Sequence, residues 1–192
     1  MQQRAIETKE KLMNAALELY LERDYHTITV DEVAKKAELS TGIAYRYFKN
    51  KKELLLASLE YAVEDILNQA DTQDVDFLKF VSTYDLANYL LTWYVSTYRD
   101  NHEVYEIIEG LKRGDEEIRE LYDKLEERTV ERIFFKTKQV LPGVKKLPER
   151  VLMVVGMMRG YCTITLNDRQ EGLDYDFIRH KTIEEIVETL TH

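Results

Sequence analysis

The chain has 192 residues, a net charge of −9, and 44% hydrophobic against 33% charged residues. That is enough for one or two small globular domains with real cores. Its single cysteine, Cys162, excludes an internal disulfide and suits a reducing compartment. The polar start Met1-Gln2-Gln3-Arg4-Ala5 lacks the pattern of a signal peptide. No apolar run nears the ~20 residues of a membrane span, so a cytoplasmic location is expected.

Only two prolines and seven glycines occur. So few breakers predict an all-α fold of about nine helices. The first helix runs from about Ile6 to Arg23, with Leu12, Ala16, Leu19 and Tyr20 on one face. Thr29 and Glu32 have the spacing of a capping box and start a short helix whose Val30, Val33, Ala34 and Ala37 point inward. After a turn at Glu38-Leu39, Ser40 is a good N-cap for a second short helix, Thr41 to Phe48. Asn50 caps a fourth helix, with Glu53 three residues on, running to about Gln69.

The polar stretch Asp71-Thr72-Gln73-Asp74 marks a domain boundary. The chain divides into residues 1–52, a linking helix at 51–69, and a helical domain at 70–192. Further helices are expected at about Asp76–Arg99, Glu103–Glu109, Asp115–Leu141, Pro148–Leu166 and Tyr175–Leu190. Pro148 suits a first helical turn. Thr163-Ile164-Thr165 favours a strand locally, but the upstream apolar period extends the helix through it.

Charge is unevenly distributed. Residues 1–52 hold ten Lys/Arg against eight Asp/Glu, a net of +2, which leaves −11 on residues 53–192. Residues 39–52 carry Arg46, Lys49, Lys51 and Lys52 and no acid. A basic face on an acidic protein is an electrostatic footprint for nucleic acid, or simply a solvated surface.

Two short helices joined by a tight turn and buttressed by a longer first helix make a helix-turn-helix, whose second helix enters the DNA major groove. Ala44 and Phe48, four apart, face the domain core, and Ser40, Thr41, Gly42, Tyr45, Arg46 and Tyr47 remain for DNA. Gly42 lets the backbone approach closely. Arg46 can pair with a guanine edge or a phosphate. The hydroxyls of Tyr45 and Tyr47 can donate to phosphates, unless those rings pack within the domain. Lys49, Lys51 and Lys52 flank the next helix start, whose free N–H groups suit another phosphate. Thr29 heads a second such start.

The stretch from Thr29 to Leu55, TVDEVAKKAELSTGIAYRYFKNKKELL, resembles the signature of the TetR family of bacterial regulators almost throughout. The leading helix, with Ile6, Ala15-Ala16 and Leu19-Tyr20, is similar too. Glu38 departs from the glycine common at that turn, and a non-glycine residue at positive φ there costs about 1 kcal/mol. The resemblance implies DNA contacts from Thr29, Thr41, Gly42, Tyr45, Arg46, Tyr47 and Lys51, with base reading chiefly by Thr41, Gly42 and Arg46. It also implies a homodimeric repressor of a palindromic operator, released by a small molecule, with the linking helix as lever.

The remainder permits both a ligand site and a dimer. Phe77, Phe80, Tyr84, Ala87, Leu91, Tyr94 and Tyr98 form a stripe at helical spacing, joined by Tyr89, Trp93 and Tyr105, and by Tyr122 and Phe134 from the next long helix. Aromatic walls with hydroxyl tips suit a flat or amphipathic ligand, and the stripe equally suits a core. The helix around Val151, Val155, Met158 and Cys162 is apolar nearly all round and must be buried on more than one side. With Ile183, Ile186, Val187 and Leu190 of the last helix it offers a four-helix interface to a second subunit, or closes its own core. No cofactor or metal is expected. His26, His102, His180 and His192 lack ligand spacing and no nucleophile–base set is recognisable, so catalysis is not expected. The rival reading is an architectural or cell-cycle DNA-binding protein that needs no inducer.

Overall fold

The computed structural model describes residues 2–71, 80, 82–167 and 169–192. Among these, nine α-helices and no strand occur: α1 Gln2–Glu22, α2 Val30–Lys36, α3 Thr41–Tyr47, α4 Lys51–Asp71, α5 Thr83–Asp100, α6 His102–Leu111, α7 Glu116–Val140, α8 Leu147–Cys162 and α9 Tyr175–Thr191. The expected all-α architecture is the one found. The expected polar break at Thr72–Asp74, and the Asp76–Phe77 stretch expected to open the fifth helix, lie outside the described residues.

The helices form two compact units, residues 1–68 with 103–123 and residues 69–102 with 124–192. Compactness therefore groups the chain differently from the expected 1–52 and 70–192 division, because α6 and the first turns of α7 belong to the first unit. In that unit α2 packs on both α1 and α3. Leu12, Ala16, Ile28, Val33, Ala34, Ala44, Phe48, Leu55 and Leu59 are almost completely buried there. Withdrawing a ring such as that of Phe48 from water contributes on the order of 1.5–3 kcal/mol.

Local signals set the ends of these short helices. The Thr29 hydroxyl accepts from the Glu32 N–H at 3.3 Å, and the Glu32 carboxylate accepts from the Thr29 N–H at 2.9 Å, completing the capping box. At the other end of α2, Glu38 takes φ 58°. The Leu39 N–H reaches back to the Ala34 carbonyl at 2.9 Å, the six-to-one bond of a Schellman turn. Glu38 thus adopts the left-handed backbone that favours glycine. The expected cap of α4 is found: Asn50 Oδ1 accepts from the Glu53 N–H at 2.9 Å, and the Glu53 carboxylate accepts from the Lys49 backbone N–H.

In the second unit α9 packs on α8 and α5, and α8 on α5. Arg179 of α9 donates to Asn88 at 2.7 Å and Thr92 at 2.9 Å on α5. The helical reading of residues 163–166 holds with a change of pitch: Thr163–Asn167 continue α8 as a π-helical turn. Such wide turns are rare and usually single. Here the Asn167 side-chain amide donates to the Tyr98 hydroxyl at 2.9 Å, and its Oδ1 lies 3.0 Å from His102 Nε2.

Candidate functional site

The exposed side of α3 is the most distinctive surface of the first unit. Burial of Ala44 (0% exposed) and Phe48 (1%) fixes the rotation of the helix. That rotation turns Gly42, Tyr45 and Arg46 outward, with Ser40 before the helix and Lys49 after it also exposed, and leaves Thr41 and Tyr47 half-buried. Tyr45 is 51% exposed. The side chains of Ser40, Thr41, Tyr45, Arg46, Tyr47 and Lys49 make no hydrogen bond or ion pair with any other described residue. Ser40 occupies the N-cap position but supplies no side-chain cap. A row of hydroxyls, one guanidinium and one ammonium is therefore held outward without an internal partner. No side chain would obstruct an approach at Gly42, where a Cβ would meet nothing within 4 Å.

The other expected DNA residues are placed differently. Thr29 is exposed, but its hydroxyl and N–H both serve the α2 cap. The Lys51 ammonium donates to the His26 carbonyl at 3.0 Å and lies 4.4 Å from the Tyr25 ring centre. Burial lowers its pKa from the ordinary lysine value. Lys52 is paired with Asp115 at 2.9 Å and with Glu117. Two of the four cations in the basic run are thus engaged within their own unit, a pairing that residues 39–52 read alone do not reveal. The Arg23 guanidinium donates to Glu32 at 2.9 Å, and with the Thr29 N–H it lowers the Glu32 pKa to about 2.

The nine residues expected to hold a ligand fall in both units. Phe80, Tyr84, Tyr89, Trp93, Tyr94, Tyr98 and Phe134 belong to the second unit, and Tyr105 and Tyr122 to the first. Trp93, Tyr94 and Tyr98 are buried, and Tyr84 is exposed beside the His180 ring. Phe80 packs on Tyr89 with ring centres 5.2 Å apart. Phe134 lies edge-on to Phe135, and Lys112 sits over the Tyr122 ring at 3.4 Å. Within the second unit, the Trp93 indole N–H and the Thr137 hydroxyl are buried without a hydrogen-bond partner among the described residues.

The residues expected to face a second subunit lie inside the protomer instead. Val151, Val155, Met158, Cys162, Ile183, Ile186 and Leu190 are at most 1% exposed, and Val187 is half-buried. Burial pushes the Cys162 thiol up to about 12. The physical reason is periodicity: a helix apolar all round has two apolar faces, and one of them closes against α9 and α5. The other face carries Leu152 (61% exposed), Met153 (57%) and, past Gly156 and Gly160, Ile164 (44%). Neither glycine has a neighbour within 4 Å of where a Cβ would stand.

Comparison with known proteins bears on the same segment. Residues 12–58 match the model described as "Bacterial regulatory proteins, tetR family". The HTH-type transcriptional regulator HbdR of Aromatoleum sp. (strain CIB) is 33% identical over 58 residues, 30% of this chain and 25% of that protein. The match thus spans only about a quarter of the relative's length. Two solved structures share the fold nearly end to end. One is a TetR-family transcriptional regulator from Mesorhizobium loti, with TM-score 0.77 and 13% identity over 97% of this chain and 96% of the other. The second is the transcriptional regulator FadR from Bacillus subtilis in complex with stearoyl-CoA, with TM-score 0.65 and 18% identity over 94% and 98% of the two chains. Residues 12–58 thus resemble the tetR family of bacterial regulatory proteins, in keeping with the helix-turn-helix of α2 and α3 and the outward polar row on α3, and the chain shares the fold of the two solved structures nearly end to end.

Proposed function

We propose that the protein is a cytoplasmic, homodimeric transcriptional repressor that reads a palindromic operator with α3 and leaves it when a small molecule binds. The observation that carries the reading is the row of Ser40, Thr41, Tyr45, Arg46, Tyr47 and Lys49, whose side chains make no hydrogen bond with any other described residue. Major-groove edges and phosphates are what such a row matches. Arg46 and Thr41 read bases, Gly42 permits the approach, and Tyr45, Tyr47 and Lys49 hold the backbone. Thr29, Lys51 and Lys52 act mainly through the helix starts they fix.

The dimer is supported by the apolar outer face of α8, Leu152, Met153 and Ile164, with the open glycines between them. A two-fold pair of recognition helices spaced one DNA turn, about 34 Å, requires two half-sites. Release by a ligand is supported by the unsatisfied buried donors Trp93 and Thr137 in the second unit, and by the stearoyl-CoA that the Bacillus subtilis FadR carries.

Nuclease protection of the DNA upstream of the protein's own gene tests the proposal. Two equal protected blocks, centred about one helical turn apart, are expected. A single block, or uniform weak protection along the fragment, would overturn the symmetric-operator reading.

A further inference from the structure

Glu38 stands where glycine is common in the tetR pattern, and three observations set it apart. The first is its backbone, which is left-handed with φ 58°. Among the described residues, Lys146 is the one other non-glycine residue in that conformation. Glu38 is the first residue past the cap of α2. Its N–H donates to the Lys35 carbonyl at 3.1 Å, and the Leu39 N–H donates to the Ala34 carbonyl. Glycine makes such a turn without strain, so the fold does not ask for glutamate there.

The second is where the charge sits. Asp31 and Glu32 lie in the first turn of α2, the end of a helix at which acids are favoured. Glu38 lies at the opposite end of the same helix, where the helix dipole favours cations.

The third is isolation. The Glu38 side chain is exposed and makes no hydrogen bond or ion pair with any other described residue. No bond joins it to Lys35, one turn back, and Lys36 is taken by Glu18 at 3.1 Å and Glu22 at 2.9 Å. Strain kept at an exposed side chain without a partner calls for a use outside the protomer.

Glu38 precedes Ser40, the start of the polar row of α3, by two residues. Two residues of chain span about 7 Å at most, inside the screening length of about 8 Å at physiological salt. A negative charge therefore stands beside the surface that meets phosphates. Of the basic run in residues 39–52, Lys51 and Lys52 are engaged within their own unit, which leaves Arg46 and Lys49 to offset it.

We propose that Glu38 is a brake on DNA binding. Its carboxylate repels the phosphate backbone that α3 approaches and lowers affinity for any duplex. The brake rests on the proposed DNA reading and deepens it. A regulator that must leave its operator gains from it, because an effector moves an equilibrium only by its differential affinity for the two states.

Fluorescence anisotropy of the full-length protein on the duplex upstream of its gene and on an unrelated duplex, from low to high salt, tests the brake. Glu38→Gln keeps the strained backbone and removes the charge. It should bind both duplexes about threefold or more tighter at low salt, with the gain fading as salt shortens the screening length, and it should melt with the wild type. Glu38→Asp retains the charge and should bind as the wild type does. Glu60→Gln, the same charge change at an exposed position of α4, should leave affinity unchanged. Glu38→Gln binding no tighter than the wild type, an equal gain from Glu60→Gln or Glu38→Asp, or a gain on the upstream duplex alone would each overturn the brake and leave the DNA reading standing. Failure of both wild type and Glu38→Gln to bind either duplex would overturn the two together.

Discussion

In the first unit the turns are tied down by residues close in sequence. Thr29 answers Glu32, Asn50 answers Glu53, and the Asp24 carboxylate accepts from the His26 N–H at 2.7 Å. In the second unit the ties are long. Arg179 spans to Asn88 and Thr92, Asn167 to Tyr98, and Arg150 to the Thr189 carbonyl at 2.6 Å. The first arrangement fixes the ends of α2 and α3 locally while their inner faces close the core, so that α3 can spend its outer face on something else. The second is a packed helical body in which position depends on the whole core. A helix-turn-helix can thus tolerate change on the α3 surface with little cost to folding, while α8 and α9 cannot tolerate it on their buried faces.

Substitutions that separate stability from binding sharpen that contrast. The largest effect is expected from Ile183→Ala. This completely buried α9 residue should lose about 2–5 kcal/mol of protomer stability on truncation, read from chemical denaturation. Leu152→Glu, on the exposed face of α8, should leave protomer stability nearly unchanged and shift the protein to monomer by analytical ultracentrifugation. If Leu152→Glu remains dimeric, that face is not the subunit contact.

Arg46→Ala should show the reverse behaviour. Its side chain has no protein partner among the described residues, so melting should not move. Operator affinity should fall by about 1–3 kcal/mol per half-site if it reads a base. Uniform weakening on every duplex would reassign Arg46 to a phosphate.

Thr29→Ala should cost about 1 kcal/mol through loss of the α2 cap. The same cap is pH-sensitive. Because the Glu32 pKa is lowered to about 2 when folded, the stability it contributes is fully present above its unfolded value near 4.5, and fades as pH falls from there through about 2. Acid melting curves of wild type and Glu32→Gln should therefore converge at the low end of that window. The smallest effect belongs to Glu38→Gly, which relieves a positive φ and should raise stability by about 1 kcal/mol or less.

These differences also explain what could be read from the amino-acid order. The capping box at Thr29–Glu32, the turn at Glu38 and the inward pair Ala44 and Phe48 were legible because each depends on residues within a few positions. The engagement of Lys52 with Asp115 and Glu117 was not, since partners more than sixty positions away leave no local trace. The apolar run from Val151 to Met158 announced burial on more than one side. It could not say which side α9 takes, and so Val151, expected at the subunit contact, lies inside the protomer while Leu152 is exposed. Tyr122 shares the aromatic character of the α5 stripe, yet it lies in the other compact unit. Residue type does not encode that placement.

The most direct test of the central claim, that the outward face of α3 reads a DNA sequence, is fluorescence anisotropy on the duplex upstream of the protein's own gene, with unrelated duplex as competitor, across a salt series. The account predicts affinity for the upstream site ~10³-fold or more above the competitor, with that preference retained as salt weakens both. Equal binding to both duplexes that vanishes together with rising salt would contradict it, and would mark the protein as an architectural binder.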